Sequence, residues 1–126
     1  MVQLADGWQL DVERGPDWLF VRPQGVPVGD DATPSLGEAI WDLLEQNFTH
    51  RLVLEMQNFD RIDARVIGQL VWLDKRIQAA GGMMRLAGLS KACQKVLHRC
   101  RLDSRFPECE SREVAVMGSS RTWTAR

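Results

Sequence analysis

The stretch from Arg51 to Leu97 constrains the fold most, because its apolar residues keep switching period. Arg51-Leu52-Val53-Leu54-Glu55-Met56 is a short β-prone run and is expected as a central strand. Asp63 then stands where a helix N-cap belongs. Val66, Leu70, Leu73 and Ile77 follow at steps of four, three and four, which line one face of a helix. Gly81-Gly82 ends that helix. Met83 to Gly88 reads as another strand, although Met is a weak strand former, and Ser90 caps a third helix carrying Ala92, Val96 and Leu97. Such alternation of strand and helix implies parallel strands covered by helices.

The first half adds a hairpin. Trp8 to Glu13 alternates strictly between apolar and polar, Arg14-Gly15-Pro16-Asp17 is a turn, and Trp18-Leu19-Phe20-Val21 is a second strand apolar on both faces. A loop from Gln24 to Asp31 leads to Thr33-Pro34, an N-cap followed by proline at the first helical position. Leu36, Ile40, Leu43 and Leu44 give this first helix an apolar stripe as far as about Asn47. Phe106 to Met117 should hold a last short strand and a helical turn. The whole reads as one α/β domain over residues 1–117 with a polar tail at 118–126. Its sheet is expected to be mixed, with four or five strands, the last three parallel, and helices mainly on one face.

Charge excludes some roles. Sixteen basic residues oppose seventeen acidic ones, and a net charge of -1 gives no general pull toward nucleic acid or an anionic membrane. The apolar stretch Val66 to Leu73 is broken by Gly68 and Gln69, too short to span a bilayer, and Met1 to Asp6 does not read as a signal peptide. Three cysteines, Cys93, Cys100 and Cys109, point to reduced thiols and a cytoplasmic location. Cys93, His98 and Cys100 fit no standard zinc spacing, and Gly81-Gly82 is not a phosphate loop. No metal and no cofactor is expected. A Cys–His nucleophilic pair is disfavoured, because residues two apart on a helix point to different sides.

The ordered set of pieces resembles the STAS domain family, whose best-known bacterial members are anti-sigma factor antagonists. The family pattern is an apolar strand ending in an acid, a short loop, Ile-Asp-Ser-Ser-Gly-Leu-Gly opening a helix, Gly-Gly, an apolar strand with Gly-Leu, then a helix and Leu-Asp. This chain reads Leu52-Val53-Leu54-Glu55, Ile62-Asp63-Ala64-Arg65-Val66-Ile67-Gly68, Gly81-Gly82, Arg85-Leu86-Ala87-Gly88-Leu89, and Leu102-Asp103. Gly25 and Asp30-Asp31-Ala32-Thr33-Pro34 look like the family's loop before its first helix. The resemblance covers roughly residues 8 to 117.

The resemblance implies a protein-binding module and not an enzyme. Its partner would be an anti-sigma-type ATPase kinase or another STAS domain. The alternative is a scaffold that homo-oligomerises, as a homodimer or in a larger signalling assembly. The family's phosphorylated serine is the second of its Ser-Ser pair, and here Ala64 and Arg65 replace that pair while Val66 replaces the glycine. Arginine has no hydroxyl to phosphorylate, and its charge is opposite to that of phosphate. A cation in the first helical turn also meets the positive end of the helix dipole. Arg65 is either a partner contact or a solvated surface residue.

The wheel of the second helix suggests where a partner would sit. Trp72 lies away from the apolar stripe and shares its side with Arg65, Gly68, Gln69 and Arg76. Tryptophan beside arginine is the composition of a binding anchor, unless a neighbouring helix covers it. The resemblance adds Asp63, Ala64 and the loop acids Asp30 and Asp31 to this expected partner-binding surface. Glu55 is expected as a solvated loop acid near the same tip.

Overall fold

The alternating segment at the start of the chain becomes a hairpin of β2 (Trp8–Arg14) and β3 (Leu19–Pro23), antiparallel with Glu13 opposite Phe20. The computed structural model describes residues 2–5, 8–24, 36–106, 108–109, 111 and 114–116. A strand not expected from the sequence, β1 (Val2–Ala5), pairs antiparallel with β2. Then come α1 (Leu36–Gln46), β4 (Arg51–Glu55), α2 (Ala64–Ala79), β5 (Met83–Ala87), α3 (Lys91–Arg99) and β6 (Glu108–Cys109).

The sheet follows chain order from β1 to β6. β3 to β6 are all parallel, with Val21 beside Leu54, Leu54 beside Leu86, and Ala87 beside Cys109. The α/β mixed sheet is as the sequence implied, but among the described residues it has six strands where four or five were expected. β1 escaped notice because four residues carry too little alternation to stand out, and pairing with β2 supplies what the local pattern lacks. Each helix joins the end of one parallel strand to the start of the next, so all three run against the strands, with α2 between α1 and α3.

Side chains alternate across the sheet. Leu19, Val21, Leu52, Leu54, Met84 and Leu86 enter the core under the helices, with Ile40 and Leu44 of α1, Leu70, Leu73 and Ile77 of α2, and Leu97 of α3. On the other face Val53, Ala87 and Cys109 pack with Trp18 and with Ala115 from a final helical turn at 114–116. Helices therefore lie mainly on one face, as the sequence implied. The αL residue Gly81 (φ +79°) ends α2, and at Gly82 an added Cβ would lie 1.9 Å from the His50 carbonyl oxygen, so both positions need glycine.

Among the described residues two acids enter the protein interior. Asp74 on α2 is 2 % exposed, and its Oδ2 accepts from Arg105 at 2.6 Å and from Gln78 Nε2 at 2.9 Å. Glu55 at the end of β4 is 5 % exposed and lies 3.8 Å from Arg22 Nη2. Glu55 is thus not the solvated loop acid expected, because its strand keeps it on the sheet, between β3 and β5.

Candidate functional site

The start of α2 is built from a loop that the rest of the chain holds in place. Phe59 and Ile62 bury their side chains in the helix-side core. Asn58 Nδ2 donates to the Pro23 carbonyl at 3.1 Å, tying the loop to β3. On the other side Ser90 Oγ donates to the Asp60 carbonyl at 3.2 Å, and Cys93 Sγ donates to the Phe59 carbonyl at 3.7 Å. The same Ser90 Oγ accepts the Cys93 N–H at 3.1 Å as the N-cap of α3. One serine therefore starts α3 and anchors the loop that precedes α2.

Asp63 caps α2 as the sequence implied, its Oδ1 accepting the Val66 N–H at 3.0 Å. That bond satisfies one of the free N–H groups at the helix start. Asp63, Ala64, Arg65 and Gly68 are exposed around it, and a Cβ on Gly68 would meet nothing within 4 Å. What the start of α2 offers is an exposed patch beside a capped helix end.

The rest of the expected strip is not one free surface. Arg65, Gly68 and Arg76 are exposed, but Gln69 and Trp72 are half-buried against α1. Gln69 Oε1 accepts the Gly37 N–H at 3.0 Å. A Cβ at Gly37 would lie 2.8 Å from Trp72 Cε3, so the indole lies directly against the α1 backbone. A neighbouring helix covers Trp72, and the wheel could not show this because it carries no information on where α1 packs. Arg76 places its guanidinium 4.8 Å from the Trp41 ring centroid and 5.4 Å from that of Trp72, a cation–π arrangement on both rings. Trp41 in turn stacks on His50, with 5.2 Å between centroids. Nothing in the sequence announced this row, since its members come from two helices and a loop. Asp30 and Asp31 lie outside the described residues, as does the expected Thr33 cap.

The thiols are not brought together for chemistry. Cys93 and Cys109 are buried, and Cys100 is exposed. His98 is exposed and hydrogen-bonds Asp103, which draws the Asp103 carboxyl below its ordinary value of 3.8. Among the described residues no group of three or more His, Cys, Asp or Glu could hold a metal ion, and no helix is long and apolar enough to cross a membrane.

Comparison with known proteins adds a family match and three similar structures. The sequence profile of the STAS domain matches residues 9–115. A Thermotoga maritima protein assigned as an anti-sigma factor antagonist has a similar crystal structure, with a TM-score of 0.77 at 17% identity over 89% of this chain and 95% of that one. An anti-sigma factor antagonist from Mycobacterium paratuberculosis superposes with a TM-score of 0.71 at 18% identity, over 90% of this chain and 94% of that one. The antagonist SpoIIAA in its unphosphorylated form does so with 0.61 at 14%, over 92% and 99%. At identities this low the structural likeness shows a shared fold. No curated protein matches the chain by sequence.

Proposed function

The chain belongs to the STAS domain family, and on that premise we propose that it is a non-catalytic cytoplasmic signalling module, similar to the anti-sigma factor antagonists, that binds a protein partner through the start of α2. The partner is an anti-sigma-type ATPase kinase or another STAS protein. The supporting observation is the exposed group Asp63, Ala64, Arg65 and Gly68 on a loop already fixed by Asn58, Ser90 and Cys93. A surface that is ordered before contact loses little conformational entropy when a partner covers it.

The module is not switched at the family's usual position. A phosphate at a helix N-terminus is favoured by free N–H groups and by the dipole, but Arg65 offers no hydroxyl to carry one. Ser90, the nearby hydroxyl, is already engaged with the Asp60 carbonyl and the Cys93 N–H. Binding is then constitutive, or regulated through the partner.

Capture from host lysate tests this reading. Wild-type protein should recover an ATPase-domain kinase or a second STAS protein, and Arg65→Glu should lose it. Equal recovery by both would remove the start of α2 from the interface.

A further inference from the structure

We propose that copies of this chain associate head to tail, the α1 face of one packing on the α3 face of the next. The surface is separate from the start of α2, so this proposal does not depend on the reading above.

The outer face of α1 is acidic and that of α3 is basic. Glu38, Asp42 and Glu45 recur at steps of four and three, and all are exposed. Lys91, Lys95 and Arg99 recur at steps of four, and they too are exposed. No basic side chain interrupts the first stripe and no acidic one the second. Glu45 is within 3.2 Å of His50. Among the described residues Asp42, Lys91, Lys95 and Arg99 have no ion-pair partner. The topology sets α1 and α3 on opposite sides of α2, so one molecule cannot bring its two stripes together, whereas a second copy can. Both helices run the same way along the sheet, so copies set side by side lay α1 parallel to α3. Glu38, Asp42 and Glu45 then align with Lys91, Lys95 and Arg99.

An apolar feature accompanies each stripe. Phe48, just beyond α1, is 90 % exposed and adopts a left-handed φ of 54°, a conformation that disfavours a bulky side chain. Beside α3 lies an open groove of about 780 Å³, with Leu89, Leu97 and Phe106 at its floor, and the three cations and the His98–Asp103 pair along it. A protruding ring beside acids and a groove beside bases are complementary. Copies set side by side all face the same way, so each association leaves one stripe of each kind unfilled, and growth continues until a ring closes. It is small, so association is weak and salt-sensitive.

Sedimentation velocity at low ionic strength tests the proposal, with thermal melting to confirm that each variant stays folded. Wild-type protein should grow beyond a dimer as concentration rises and dissociate as salt is added. Lys95→Glu, Asp42→Lys and Phe48→Ser should each weaken association about tenfold or more. Combining Lys95→Glu with Asp42→Lys in one chain should restore it. Mixing the two single variants should also restore growth, as an alternating assembly, because the wild-type stripes of the two variants meet at one contact and their reversed stripes meet at the next. A wild type that stays monomeric, a closed wild-type dimer, or association untouched by the charge reversals would overturn the proposal.

Discussion

Gln69 Oε1 accepts the backbone N–H of Gly37 at 3.0 Å, so a side chain of α2 satisfies a donor in the first turn of α1. The helices approach closely because residue 37 has no side chain. Gly37→Ala would gain helix propensity of about 1 kcal/mol. It would also drive a methyl to 2.8 Å from both the Gln69 oxygen and the Trp72 ring. We expect the clash to win, with a net loss of about 1–2 kcal/mol in chemical denaturation.

Trp72 carries the same logic. The indole covers the α1 backbone and supports Arg76, so Trp72→Ala should destabilise the fold by roughly 2–3 kcal/mol in denaturant titrations. A melting temperature unchanged from wild type would show that the α1 contact contributes nothing.

The Asp74–Arg105 pair is the charged interaction that burial makes consequential. Arg105→Met leaves the buried Asp74 carboxylate with only Gln78, and should cost about 2–3 kcal/mol. Adding Asp74→Leu removes the stranded charge and should recover much of that loss. A double variant no more stable than Arg105→Met would contradict this account.

Much of this was legible from the residues. The period changes from Arg51 to Leu97 located two strands and two helices, and the caps at Asp63 and Ser90 hold as read. What stayed hidden is what depends on packing between segments distant in sequence. Asp74 lies at the edge of the α2 apolar stripe, and nothing local says that Arg105 will reach it. Cys93 read as an unremarkable thiol, yet its Sγ holds the loop before α2. Trp72 read as exposed because a wheel describes one helix without its neighbours.

The His98–Asp103 contact sets a pH dependence. The side-chain hydrogen bond from His98 is the main cause that lowers the Asp103 pKa. A lowered folded-state value means the contact stabilises the fold above the ordinary carboxylate range and is lost as pH falls through that lowered value. Asp103 is exposed, so the effect on stability is small. A carboxyl-carbon NMR titration should place Asp103 below the ordinary 3.8, and His98→Ala should return it toward that value. No movement in His98→Ala would remove the contact as the cause.

The most direct test of partner docking at the start of α2 is the affinity for an anti-sigma-type ATPase kinase, measured before and after incubation with ATP. The account predicts the same affinity in both cases, no phosphate on residues 64–68, and a loss of about tenfold or more in Arg65→Glu. Phosphate on Ser90 or Ser104 accompanied by loss of binding, or an Arg65→Glu variant that binds as the wild type does, would contradict it.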